Sequence, residues 1–308
     1  MASAVHAERG AWSPEGFHAY QARFPRTPAL VPLPAATSSL RFVEWWSRGP
    51  DPASLAARLR DTAVVFVRGF LGNYMPGNLL APCRALRSMG LEAILFRSSA
   101  SAMAAENAAA LGRRVDRLRS SRLVFCGHSR GGVEALLLLQ SRPDLAARCG
   151  GVLLSQTSRG PSRVLESILL GQHRESLAGW RRRAAEALQR AALRLCSADR
   201  GGREFAAGPQ AALVASLDGA PRAFPVLQTA SWSTRPTAWL DSFHQRLGEI
   251  APGCAHDGQF YLPDLIWPEI PHVLLPEVDH AQPAMGGFGF DHVRYWLVML
   301  TLLTEVSA

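Results

Sequence analysis

Six consecutive residues, Gly127-His128-Ser129-Arg130-Gly131-Gly132, hold the sharpest chemical signal in the chain. They follow an apolar run, Leu123–Cys126, and precede a strongly helical stretch, Val133 to Gln140. Glycines around a tight strand-to-helix turn permit a strained backbone. Such a turn lifts the serine clear of the strand ends, at the positive end of the following helix, where a nucleophile belongs. A serine hydroxyl is a weak nucleophile until a base takes its proton, and the base needs a third group to orient it. The base should follow the serine, on a loop between a late strand and the last helix. His280, in Pro276-Glu-Val-Asp-His-Ala281, meets that description. His292 is a rival within the opening of the final helix. For the acid, Asp257 in Cys254-Ala-His-Asp-Gly258 sits on an Asp-Gly loop; Asp279, Asp264 and Asp241 are rivals. Neighbours on an extended loop point to opposite sides, which sets Asp279 against orienting the ring beside it.

Charge that develops on a substrate carbonyl needs two N–H donors. The backbone N–H of Arg130 is one, and Val67-Arg68-Gly69-Phe70-Leu71-Gly72 offers the N–H of Phe70 as the other. His128 points away from Ser129 by construction of the turn. With Leu71 it is read as a substrate-binding residue, as are Leu177 and Leu188 further along.

The elements that must carry these residues are legible as alternation. Apolar strand-like runs at Ala63–Val67, Ala93–Phe96, Leu123–Cys126 and Gly151–Leu154 are separated by helical stretches, including one that Asn78 caps and Gly90 ends and one over 103–119. Near-continuous apolar strands alternating with helices imply a parallel sheet covered on both faces. The alternation breaks for about 65 residues, where Leu177, Trp180, Ala184, Leu188, Ala191 and Leu195 step by three or four as one amphipathic stripe. It resumes with Phe224–Leu227, a helix near 237–248, Val273–Leu275 and a final helix from about Phe290 to Val306. The organisation expected is an arm over 1–60 packed on the core by its aromatics (Trp12, Phe17, Tyr20, Phe24, Trp45 and Trp46), a core over 61–157 and 221–308, and a helical cap over 158–220. Prolines at 14, 25, 28, 32, 34, 50 and 52 forbid long regular elements in the arm.

Composition removes whole classes of chemistry. The 308 residues include no lysine, so all 33 basic side chains are arginine against 25 acidic ones, a formal charge of +8. That excludes Schiff-base lysines, a P-loop lysine and a pyridoxal-phosphate anchor. The arginines are scattered, with a run only at Arg181, Arg182 and Arg183, and no nucleic-acid partner is expected. Five cysteines at irregular spacing, with no CxxC pair, suggest neither a zinc site nor a disulfide framework, and Cys126 and Cys149 are core residues. The N-terminus lacks the apolar core of a signal peptide and no run reaches membrane-spanning length, so a cytoplasmic protein without a transmembrane segment is expected. No cofactor and no metal are expected.

Taken in order, Arg-Gly-Phe-Leu-Gly, Gly-His-Ser-Arg-Gly-Gly, Ala-Ser-Trp-Ser (230–233), His-Asp-Gly (256–258) and Asp-His-Ala (279–281) resemble bacterial triacylglycerol lipases of the α/β-hydrolase fold over roughly residues 61–305. The resemblance implies Ser129 as nucleophile, Asp257 as acid, His280 as base, and Phe70 and Arg130 as oxyanion donors. Two positions depart from the family pattern. Arg68 stands where the oxyanion loop carries histidine, and Gln282 stands where a carboxylate helps bind structural calcium. The expected activity is hydrolysis of a hydrophobic carboxylic ester, of small-molecule or lipid type, through an acyl-serine intermediate. Acyl transfer or thioester cleavage by the same triad, as in natural-product tailoring, and a non-catalytic hydrolase-fold binding protein remain open.

Overall fold

The computed structural model describes residues 35–172, 180–218, 223–234, 240–267 and 270–306. Six strands, β1 (Thr62–Val67), β2 (Glu92–Phe96), β3 (Arg122–His128), β4 (Cys149–Ser155), β5 (Val226–Trp232) and β6 (His272–Pro276), pair in parallel in the order β2-β1-β3-β4-β5-β6. Every residue of β1 and of β5 is buried; β1 therefore reads as a near-continuous apolar run rather than as alternation, whereas β5 buries Gln228, Thr229 and Ser231 among its apolar residues. Successive side chains still point to opposite faces. Val64 and Phe66 join one core and Ala63, Val65 and Val67 the other.

Helices cover both faces. The first core is closed by α1 (Ala35–Arg48), α2 (Pro52–Arg58), α3 (Leu80–Ser88) and the C-terminal helix. The second is closed by α4 (Ala104–Val115), α5 (Arg130–Ser141) and α6 (Pro143–Arg148). Between β4 and β5 the chain leaves this pattern as α7 (Arg163–Leu165), a π-helical turn (Glu166–Leu170), α8 (Trp180–Leu195), α9 (Asp199–Arg203) and α10 (Ala207–Leu217). After β5 come α11 (Asp241–Ile250), α12 (Gln282–Met285) and α13 (His292–Val306). Arginines fill the last turns of α1 to α4, α6 and α8, where cations complement the negative helix ends. Part of the +8 charge is therefore local to helix C-termini.

Two expectations need correction. The arm carries a regular element after all, because the interval between Pro34 and Pro50 leaves room for the 14 residues of α1. Its Phe42 is fully buried and stacks on Trp46, which stacks in turn on Phe290. Trp12, Phe17, Tyr20 and Phe24 lie outside the described residues. Asn78 does not cap α3. Leu79 takes the N-cap position in a left-handed conformation, and Asn78 is buried one residue earlier.

Successive connections leave β1 toward β2 and β3 toward β4, in opposite directions. That opens a crevice beyond the C-terminal ends of β1 and β3, the place where open α/β sheets bind ligands. Among the described residues, no helix is long and apolar enough to cross a membrane.

Candidate active site

Ser129 sits at the end of β3 with φ 54° and ψ −130°, and α5 begins at the next residue. This conformation costs a non-glycine residue about 1–3 kcal/mol. The surroundings hold it: the Ser129 N–H donates to Ser155 O at 2.8 Å, and Gly132 N–H donates back to Ser129 O at 3.1 Å. The flanking glycines answer to close packing. A Cβ on Gly127 would stand 2.3 Å from Gly132 Cα, and one on Gly131 would stand 2.3 Å from Val67 O. Strand, turn and helix meet backbone to backbone, so any side chain there would push β1 and α5 apart.

His280 lies on the loop between β6 and α12, and its Nδ1 is 2.7 Å from Asp257 Oδ2. Asp257 is fully buried. Its other oxygen, Oδ1, accepts from the backbone N–H groups of Gln259 at 2.9 Å and Phe260 at 2.8 Å. The carboxylate is thus pinned on one side by its own loop and presented to the imidazole on the other. Asp279 is differently employed. Its Oδ1 accepts from Ala281 N–H and Gln282 N–H, while its own N–H donates to Gln282 Oε1 at 2.9 Å. This reciprocal arrangement opens α12 and uses Gln282, the position that the lipase pattern gives to a calcium-binding carboxylate. Asp264 sits by Arg159 and Gly160, whose N–H groups its carbonyl accepts, with its carboxyl raised to about 6 by burial. Asp241 begins α11 at the surface, and His292 begins α13 against Gly286.

The loop after β1 lies directly on the elbow. A Cβ on Gly69 would come within 2.8 Å of Ser129 Cβ and 2.9 Å of His128 O. Only glycine admits that approach, and it brings the Phe70 backbone beside Ser129. Arg68 works as a strut, its Nε donating to Asn78 O at 3.0 Å, so that the loop is braced from below. The Arg130 side chain is buried in a network of its own. It pairs with Glu134 at 3.1 Å and Glu204 at 3.6 Å and donates to Ala102 O. Its guanidinium lies 5.9 Å from the ring centroids of both Phe70 and Phe205. Burial pushes Glu134 up to about 7 against the opposing pull of Arg130, Ser98 and Asn107. One arginine therefore ties α5, the Phe70 loop and the segment after α9 together.

Ser129 and His280 open on one cavity of about 340 Å³. Phe70, Leu71 and His128 line it, as do Met75, Asn78 and Met285. The segment between β4 and β5 contributes Leu165, Ile168, Leu193, Cys196 and Phe205. Leu71 and His128 thus line the cavity. Leu188 does not: it is 72% exposed and Leu195 87% exposed. At 100° per residue, Ala184, Leu188, Ala191 and Leu195 share a face opposite the buried Leu193 and Glu186. The stripe is real, but α8 turns it outward. The cavity wall is built from Gln189, Ala192 and Leu193 instead. Leu177 lies outside the described residues. Asn78, Phe205, Phe260 and the π-helical turn were not legible as site residues, since each is an ordinary apolar or polar residue locally.

No protein-family model matches the chain, and no curated protein matches it either. Solved structures do. A metagenomic carboxyl esterase, MGS0156, is 18% identical, with 83% of this chain and 78% of that one covered at a TM-score of 0.61. The lipase BlEst2 of Bacillus licheniformis in its mature form is 14% identical, with 82% and 94% covered at a TM-score of 0.55. At such identities the likeness is one of fold. Together with the parallel sheet, the elbow after β3 and the late histidine loop, it shows that this chain has the α/β-hydrolase fold.

Proposed function

We propose that the protein hydrolyses carboxylic esters with a hydrophobic acyl group through an acyl-serine intermediate. Ser129 Oγ attacks the carbonyl carbon while His280 Nε2 takes its proton. Asp257 holds the ring as the Nδ1–H tautomer and stabilises the imidazolium that forms. The Phe70 and Arg130 N–H groups stabilise the oxyanion, and His280 returns the proton to the departing alkoxide. Water, deprotonated by the same ring, then cleaves the acyl-enzyme. The segment 158–220 serves as a cap whose inner face receives the acyl chain.

The observation that carries this reading is the 2.7 Å contact between Asp257 Oδ2 and His280 Nδ1, in a chain where His280 and Ser129 share one apolar cavity. A buried carboxylate spent on orienting an imidazole beside a strained serine supports base catalysis more than passive binding. The test is a panel of p-nitrophenyl esters of increasing acyl length. Wild-type protein turns them over with a preference for apolar chains. Ser129→Ala loses on the order of 10⁶-fold in turnover with its fold intact. Equal activity in the two proteins would remove the assignment.

A further inference from the structure

His280 is held far more completely than its hydrogen bond with Asp257 requires. Two peptide units flank it, and all four of their polar groups are bonded. In the unit before it, the His280 N–H donates to Asp257 O at 2.9 Å, and Asp279 O accepts from Gln156 Nε2 at 3.0 Å. In the unit after it, the Ala281 N–H donates to Asp279 Oδ1 at 2.9 Å, and His280 O accepts from His128 Nε2 at 2.8 Å. Fixing both peptide planes fixes φ and ψ of the residue between them. The side chain is then aimed by its bond to Asp257 and packed against the Phe260 ring, whose centroid lies 5.2 Å away.

Two of these bonds are made by side chains from outside the histidine loop, and their directions can be worked out. A carbonyl oxygen only accepts. His128 therefore carries its proton on Nε2, and the Gln156 amide turns its NH₂ toward Asp279 O. That orientation leaves Gln156 Oε1 facing His128 Nε2 at 3.3 Å, so the two side chains support each other. Burial, reinforced by His280, holds the His128 imidazole down to about 3, so it stays neutral with a single proton for this one use. Both side chains are buried. Gln156 is pinned in turn by Ser231 and by its own N–H, which donates to Thr229 O.

We propose that His128 and Gln156 are positioning residues for His280, and that His128 sets the spacing between the nucleophile and its base. The inference rests on the reading of Ser129 and His280 as that pair. Its physical content is economy of connection: His128 precedes Ser129 on the elbow, so a single hydrogen bond links the turn that carries the nucleophile to the main chain of the base. Two catalytic side chains 151 positions apart in sequence are thereby tied together directly, while Gln156 holds the other peptide unit of the base. Neither residue touches reacting atoms in this account, so their loss acts on turnover through geometry. A displacement of about 1 Å in a catalytic group costs about 10²-fold.

The experiment compares kcat and KM for His128→Leu, His128→Gln and Gln156→Met with wild type and with His280→Ala, on one p-nitrophenyl ester, with melting temperatures recorded. Glutamine can place an amide N–H near the histidine Nε2 position; leucine cannot. The expected result is a kcat loss of about 10²-fold in His128→Leu with KM within about twofold, recovery of most of that loss in His128→Gln, and a comparable kcat loss in Gln156→Met. A rise in KM at constant kcat would make His128 a substrate contact and overturn the proposal. So would unchanged kinetics, or a His128→Gln variant no better than His128→Leu. If His128→Leu does not fold, Gln156→Met is judged by the same numbers. Full activity in His280→Ala would instead remove the underlying base assignment, whatever the other variants do.

Discussion

Replacing Asp257 with asparagine separates charge from shape at the acid. In the native loop Oδ1 accepts two backbone N–H groups, from Gln259 and Phe260, while Oδ2 faces His280 Nδ1. Asparagine has one oxygen and one NH₂ to fill those places. Putting the NH₂ toward the loop would set it against two donors and forfeit two hydrogen bonds, each worth about 1 kcal/mol net, and more where burial leaves the N–H groups unpaired. The oxygen therefore stays with the loop and the NH₂ faces the imidazole. The ring must then accept at Nδ1 and carry its proton on Nε2, the nitrogen that should receive the proton of Ser129. The wrong tautomer costs up to ~10⁴-fold in turnover, about 5 kcal/mol, with little change in melting temperature. Asp279→Asn keeps the single oxygen that bonds Ala281 and Gln282, so it should lose less than about tenfold. Steady-state turnover of a p-nitrophenyl ester by both variants decides the matter. A larger loss at 279 than at 257 would refute the reasoning.

The cap should read acyl length from its inner face. Ile168→Asp or Leu193→Asp shifts the preference toward short acyl esters, whereas Leu188→Asp on the outer face leaves it unchanged; the same shift in all three would contradict the assigned walls. Buried histidines should make the fold acid-sensitive. Burial lowers His128 to about 3 and both His256 and His272 to about 4. The unfolded chain then binds more protons below its ordinary histidine range near 6.5, so stability is present above that pH and falls as pH drops toward 4, by about 3 kcal/mol for a group such as His272. Urea melts of wild type and His272→Phe across that window should differ in slope, the variant being flatter; parallel slopes would count against it. Chelation should not matter to stability, because Gln282 is already engaged with Asp279 and a hard cation favours charged oxygens. A clear fall in melting temperature on adding EGTA would restore a calcium site.

What the sequence reveals and what it hides divides along locality. The strand–turn–helix around Ser129, the glycine of the Phe70 loop and the positions of the strands along the chain are set by short segments whose residue types leave few alternatives. Asp257 was separable from Asp279 because adjacent loop residues diverge, a local argument as well. The face of α8 was not legible. Periodicity finds the stripe through Leu188 and Leu195, but which neighbour covers it depends on residues elsewhere in the chain, and Leu193 with Glu186 faces inward instead. The helix Ala35–Arg48 was hidden by the prolines that bracket it, although their spacing permits it. The bonds from His128 to His280 and from Gln156 to Asp279 span 152 and 123 residues. Neither has a local signature, since a buried histidine and a buried glutamine look like any other until the sheet brings their carbonyl partners within reach.

The central claim is that Ser129 is an activated nucleophile, and labelling by a fluorophosphonate probe tests it most directly. Intact protein is incubated with the probe, digested and mapped by mass spectrometry. The account predicts one phosphonyl group per chain, on Ser129, formed at a rate that Asp257→Asn and His280→Ala depress severely. Labelling at another serine, or none at Ser129 in a folded protein that still turns over esters, would contradict it.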